Sequence, residues 1–318
     1  MKPQISIIVC TYNGGELLKK CILSILNQDY KNFELLFIDG GSSDGTLEYL
    51  KKIIKKDARI KLIKNKRRLP EGRGMGKWLG FIKSQGIIFG IIDQDNILQK
   101  NNVLSTAEKI LKKDKQVMLV TSGLKNSRRT AHITRYVSLY GTDSFLAYRS
   151  LDFLRRLKEN KEIEQFIAKK DNQTLVGSNN VFYLRSALKK VGGYERDVTT
   201  NLKLLISGKD KIYVINNATE HYSDKNLYSL AIKKFKWGKN YFKSNNNKDQ
   251  YDYFPKTSLE LKEFLKAISF GVLFIPNFYY AYKVYKNSKD FLAFIFPYMA
   301  FANILAYGLN FIINKIKT

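Results

Sequence analysis

Short, continuous apolar runs alternate with segments of helical apolar spacing, and this alternation restricts the chain to very few folds. Residues 5–10, 33–38, 60–63, 87–92 and 117–121 are runs rich in Ile, Leu and Val. Such runs suit strands buried on both faces. Between them, Leu17, Leu18, Cys21, Ile22, Ile25 and Leu26 recur with the period of a helix, as do Leu47, Leu50, Ile53 and Ile54. Further helices are expected up to Ser84 and over 103–112. Strand–helix alternation at this spacing predicts an α/β fold with a mostly parallel sheet flanked by helices. Ligands of such sheets bind beyond the carboxyl ends of the strands. Those ends carry Thr11-Tyr12-Asn13, Asp39 and the pair Asp93 and Asp95.

The pattern then loosens. Residues 125–170 read as helical and Arg/Lys-rich, 177–184 as a strand returning to the sheet, 185–191 and 200–207 as helices, and 212–215 as a strand leading to His221. Lys233, Lys234, Lys236 and Lys239 interleave with apolar residues in a predicted basic helix over 227–242, and 244–250 reads as a polar linker. Two apolar segments follow, 264–282 and 291–313, and the second carries no charged side chain. At about 1.5 Å per residue it is long enough to cross a hydrocarbon core. Lys283, Lys286 and Lys289 lie between the two segments, and Pro276 and Pro297 are expected to interrupt them. A membrane-associated helical tail is the expectation, with buried core helices or an oligomer interface as the alternative. Three stretches result: 1–124, 125–225 and 226–318.

Composition narrows the partners. The chain has 318 residues, 55 Lys and Arg against 28 Asp and Glu, and a formal net charge of +27. Such a field attracts phosphates, nucleic acid or anionic lipid. Nucleic-acid binding explains the charge but not the acidic residues at the strand ends, so no nucleic-acid partner is expected. The two cysteines, Cys10 and Cys21, lie in apolar contexts and are expected to be reduced core residues. Met1 to Gln4 runs straight into the first strand with no secretory leader. The catalytic part is therefore expected on the cytoplasmic side of the cell membrane.

Asp93-Gln94-Asp95 is the most informative local motif. Of two carboxylates one residue apart at a strand end, one can orient a ribose hydroxyl. The other can bind a hard cation already held by a diphosphate. Taken in order, the motifs resemble the family-2 glycosyltransferases of GT-A fold. The resemblance is carried by Ile5-Ser6-Ile7-Ile8-Val9-Cys10-Thr11-Tyr12-Asn13-Gly14-Gly15, by Ser24-Ile25-Leu26-Asn27-Gln28, and by Asp39-Gly40-Gly41-Ser42-Ser43-Asp44-Gly45-Thr46 ahead of the aspartate pair. It covers roughly residues 4 to 222.

The resemblance implies an inverting, metal-dependent glycosyltransferase that uses a nucleotide-sugar donor, with UDP-sugars favoured, and a lipid-linked or cell-surface glycan acceptor. Thr11, Tyr12, Asn13 and Asp39 would hold the base and ribose. Asp93 would sit near the ribose or sugar, and Lys77 would face the donor. Asp95, helped by His221, would bind Mn²⁺ or Mg²⁺. Gly177-Ser178-Asn179 would line the acceptor. An inverting transfer needs a general base. The family places an adjacent acidic pair after a Gly-Gly-aromatic turn; here Gly192-Gly193-Tyr194 is followed by Glu195-Arg196-Asp197, and Thr199 stands where a base is usual. Asp197 is the expected base, with Glu195 behind it. The missing pair leaves a degenerate GT-A protein, which binds donor or partner without transfer, as the alternative.

Overall fold

The computed structural model describes residues 3–65, 75–141, 161–168, 180–195, 197–222 and 272–317, with isolated positions between 226 and 269. In chain order the elements are β1 (Ile5–Thr11), α1 (Gly15–Leu26), β2 (Phe33–Asp39), α2 (Thr46–Ile54), β3 (Ile60–Lys64) and α3 (Met75–Lys83). There follow β4 (Ile88–Ile91), β5 (Asn96–Leu98), α4 (Val103–Lys113), β6 (Val117–Leu124), α5 (His132–Tyr140), β7 (Ile163–Ile167) and β8 (Val181–Leu184). The last are α6 (Arg185–Lys190), α7 (Asp197–Ile206), β9 (Lys211–His221), α8 (Phe274–Ser288), a 3-10 turn (Phe291–Ile295) and α9 (Phe296–Lys317). They fall into two compact units. Residues 1–125, 161–170 and 176–222 make the first, and 126–160, 171–175 and 223–318 the second.

The first unit is built on a nine-stranded mixed sheet of order β3-β2-β1-β4-β8-β6-β9-β5, with β7 also pairing β9. The strands β3, β2, β1 and β4 are parallel, as are β6 and β9. β8 is antiparallel to both β4 and β6, and β5 and β7 are antiparallel to β9. The period of two divides the sheet residues between layers. Ile5, Ile7 and Val9 join Leu18, Cys21 and Ile25 of α1 and Val103, Ala107 and Leu111 of α4 in one buried core. Ile8 and Cys10 face α3 instead, and that contact is close because α3 has glycines there. A Cβ on Gly80 would lie 2.5 Å from Ile8 Cγ2, and one on Gly76 2.9 Å from Cys10 Sγ. On the same face Phe81 packs edge-on to Phe89 at 5.3 Å, and Phe89 meets Tyr194 at 5.5 Å. Both cysteines are free thiols, Cys21 buried and Cys10 half-buried.

Two strands depart from the sequence reading. Residues 163–167 fall in the stretch read as helical, yet they form β7. Its buried residues are Glu164 and Phe166, while Ile163 and Ile167 are exposed. Apart from Phe166 the apolar pattern is out of phase with burial, and pairing with β9 decides the conformation. β5 is three residues long, too short for periodicity to mark, and β9 runs eleven residues.

In the second unit, Ile133, Tyr136, Leu139 and Tyr140 of α5 share a core with Val284, Ala293, Phe296 and Met299. Tyr140 stacks on Phe296 at 4.3 Å, and its hydroxyl donates to Ala293 O at 2.9 Å. Each proline follows a break in its apolar segment, the non-helical Leu273 in the first and the change from 3-10 to α-helix in the second. Pro276 is in the first turn of α8 and Pro297 in that of α9, where no intrahelical N–H is missed. Among the described residues one segment, Phe291–Asn310, is long and apolar enough to cross a membrane, with a mean hydropathy of 1.7. The basic helix and the linker lie outside the described residues, apart from isolated positions of the former.

Candidate active site

The first unit gathers its polar chemistry at the carboxyl ends of β1, β2 and β4. Thr11 ends β1, and Asn13 takes a left-handed conformation with φ of 48°, which Asn tolerates better than branched residues. This turns the loop onto the one after β2. Asn13 N donates to Ser42 Oγ at 2.9 Å, and Ser43 N donates to Asn13 Oδ1 at 2.9 Å. Asp39 is buried and accepts from Gly41 N at 2.9 Å, Ser42 N at 3.0 Å and Ser42 Oγ at 2.5 Å. The glycines of that loop have φ near +90°, at Gly41 and Gly45, a region open to glycine at little cost.

Gln94, between the two aspartates, closes the loop after β4 onto β1. Its Oε1 accepts from Thr11 Oγ1 at 2.7 Å and Tyr12 N at 3.1 Å, and its Nε2 donates to Tyr12 O at 3.2 Å. Sequence reasoning passed over Gln94; its place between two functional candidates was the available signal. Cys21 Sγ donates to Asp93 O at 3.6 Å from α1, and burial, reinforced by the charges of Asp95 and Asp93, pushes the Cys21 thiol up.

With the loops fixed, the charges converge. Lys77 Nζ lies 3.5 Å from Asp93 Oδ1. Burial works against the Lys77 ammonium, but the Asp93 and Asp197 carboxylates outweigh it and raise its pKa. Burial also raises the Asp93 carboxyl; Lys77 opposes this, while Asp95 and Asp197 add to it. Asp95 Oδ1 lies 3.5 Å from His221 Nδ1, and that nitrogen is 2.9 Å from Asn96 Oδ1. Antiparallel pairing of Asn96 with His221 places them so, aided by Tyr222 N donating to Asp95 O at 2.9 Å. With Nδ1 donating to Asn96, Nε2 keeps the lone pair that a metal ligand needs.

The two acidic candidates after Tyr194 differ. Asp197, the first residue of α7, accepts a hydrogen bond from Tyr194 and interacts electrostatically with Lys77 and Asp93. The Glu195 carboxylate instead pairs with Lys203. Tyr183 OH donates to Asn201 Oδ1 at 3.0 Å one turn along α7. Gly177, Ser178 and Asn179 lie outside the described residues.

Among the described residues no group of three His, Cys, Asp or Glu side chains forms a metal cage. Asp95 and His221 offer one oxygen and one nitrogen ligand. This donor set fits a hard divalent cation completed by substrate diphosphate oxygens.

Residues 6–192, more than half of the chain, match the model of glycosyl transferase family 2. The chain belongs to this family. The glycosyltransferase GlyG of Streptococcus pneumoniae is 29% identical over 119 residues, covering 37% of this chain and 39% of that protein. A Campylobacter jejuni GalNAc(5)-diNAcBac-PP-undecaprenol beta-1,3-glucosyltransferase is 36% identical over 96 residues, 30% of this chain and 31% of that one. The family-2 chain thus spans less than half the length of the curated relatives it matches. Among solved structures, the mannosyltransferase PcManGT from Pyrobaculum calidifontis with GDP-Man and Mn²⁺ gives a TM-score of 0.57 at 15% identity, over 98% of this chain and 88% of that one. TarS 1-349 of S. aureus with UDP-GlcNAc gives 0.55 at 15% identity, over 98% and 90%. These likenesses establish the shared fold.

Proposed function

We propose that this family-2 protein transfers a sugar, with inversion, from a nucleotide-sugar donor to a lipid-linked or cell-surface glycan acceptor at the cell membrane, its catalytic unit on the cytoplasmic side. One observation carries the reading: Lys77, the Asp93 and Asp95 pair, Asp197 and His221, from four separate stretches of chain, meet at the ends of the parallel strands. Tyr12, Thr11 and Asn13 line the base pocket. Asp39 spends three acceptor sites on its own loop, and a carboxylate offers about four, so a lone pair remains for a nucleobase N–H. UDP-sugars are the donors favoured in this reading, with the other nucleotides separated by the donor panel below.

Asp93 and Lys77 face the ribose, sugar and diphosphate. Asp95 and His221 would hold Mn²⁺ or Mg²⁺ against the diphosphate. The bound cation would neutralise the charge that develops on the leaving nucleoside diphosphate. Asp197, oriented by Tyr194, takes the proton from the acceptor hydroxyl as its oxygen bonds to the anomeric carbon and the bond to the diphosphate breaks. Gly177, Ser178 and Asn179 remain the acceptor-side residues of the proposal. Membrane attachment rests on the apolar Phe291–Asn310 segment. A degenerate, non-transferring protein is the second reading, favoured by the Glu195–Lys203 pair where a second acid would act.

Donor binding and hydrolysis across a panel of UDP-, GDP- and dTDP-sugars, with and without Mn²⁺, tests the proposal. Metal-dependent binding of one donor by wild type, lost in Asp95→Ala, is the expected result. Binding of no donor, indifferent to metal, overturns it.

A further inference from the structure

The second unit holds a separate feature that donor chemistry does not use. A cavity of about 460 Å³ opens between the start of α5 and the turn after α8. Arg128, His132 and Lys289 line it, and all three are exposed. None of them has a side-chain hydrogen bond or ion pair among the described residues. The fourth basic residue of the lining, Arg135, is already neutralised. Its Nε and a terminal nitrogen bond Asp290 at 2.8 and 2.5 Å. The Asp290 carboxylate is fully engaged, because it also accepts from Asn126 Nδ2 at 3.0 Å and caps the 3-10 turn at Leu292 N at 3.1 Å. The buried acid therefore cancels Arg135 and leaves two cations and an imidazole around one opening.

Lys289 is held there against backbone preference. It ends α8 in the left-handed region with φ of 54°, where glycine is usual and other residues are strained. Among the described residues, this lysine at a glycine position and Arg128 beside it have no anion. We infer that this cavity binds the phosphate of an anionic lipid headgroup.

The neighbouring residues favour a lipid over a soluble phosphate. Phe291, on the cavity rim, is 74% exposed and begins the one described segment that is long and apolar enough to cross a membrane. A ligand with a phosphate for the cations and an acyl chain for Phe291 satisfies both halves. His132 opens α5, so the cavity also lies at the positive end of that helix. The net charge of +27 draws the whole molecule towards such a surface, but only the cavity supplies a defined seat.

The test compares full-length protein on phosphatidylglycerol-containing and pure phosphatidylcholine vesicles. The variants are Arg128→Gln, Lys289→Gly and, as control, Lys286→Gln, an exposed lysine of the same helix that does not line the cavity. Lys289→Gly removes the charge while relieving the left-handed strain, so its thermal midpoint should hold or rise. Loss of preference for phosphatidylglycerol by roughly fivefold in each cavity variant, with the control unchanged, supports the inference. An equal loss in Lys286→Gln would make the attraction diffuse surface charge and overturn it. Binding of inorganic phosphate alone, as tight as that of vesicles and equally dependent on Lys289, would make this a free-phosphate site and overturn the lipid assignment. So would indifference of wild type to the headgroup.

Discussion

At the scale of single residues, the site separates groups that hold the loops from groups left to act. Gln94, Ser42 and Asn13 spend their polar atoms on neighbouring backbone, which fixes the loops before any ligand arrives. Asp197 has a different setting: it is oriented by Tyr194 and faces the Lys77–Asp93 pair. In the proposed mechanism a proton acceptor in this position acts in the chemical step and not in donor recognition. Asp197→Asn keeps the shape and removes the basicity. It should lower kcat by at least about 100-fold while donor affinity, read by calorimetry, stays nearly unchanged. The same substitution at Glu195, already neutralised by Lys203, should cost far less. Equal losses at both positions would remove the distinction.

At the scale of elements, α3 is the part most exposed to disruption. It carries Lys77 to the site and sits on β1 only because Gly76 and Gly80 have no side chains. Gly80→Ala would gain helix propensity of about 1 kcal/mol. Against this, its Cβ would stand 2.5 Å from Ile8 Cγ2, in the middle of a buried strand that cannot yield. Overpacking of that kind costs about 1–3 kcal/mol, so the clash wins. The variant should unfold at lower denaturant, and its donor KM should rise as α3 and Lys77 shift. A stabilised Gly80→Ala protein with unchanged KM would contradict this account of the helix.

At the scale of the whole molecule, charge and pH act together. Glu34 lies buried in β2, where Ser6 Oγ donates at 2.6 Å, Gln85 N at 2.7 Å and Lys61 Nζ at 2.7 Å. Burial alone would raise its pKa, but the hydrogen bonds from Lys61, Ser6 and Gln85 together outweigh it and hold the carboxyl below its ordinary value. A depressed folded pKa means stability that is full above the unfolded value, near ~4.3, and is lost as pH falls through the folded one. Acid also adds positive charge to a chain already at +27, so self-repulsion works in the same direction. Glu34→Gln should cost about 2 kcal/mol near neutral pH and flatten the fall in stability below about pH 4.5. Urea midpoints measured across that range, for wild type and variant, check both parts.

The sequence alone determined the alternating strands and helices of the first half, the aspartates at the strand ends and the apolar run near the C-terminus. All of these are local signals: a run length, a period, or a motif at the end of a run. Tertiary structure decided the rest. β7 buries Glu164 while exposing Ile163 and Ile167, and β5 has three residues, so both exist only through pairing with β9. The register of β5 on β9 sets Asn96 and His221 against each other across 125 residues of chain, which no spacing rule foretells. Sequence order already put Asp197 ahead of Glu195, but the neighbour each carboxylate meets, Tyr194 for one and Lys203 for the other, is set by the fold. The cavity beside Lys289 needs the turn after α8 folded against α5, and its cations, scattered through a uniformly basic sequence, become a set only when the chain brings them together.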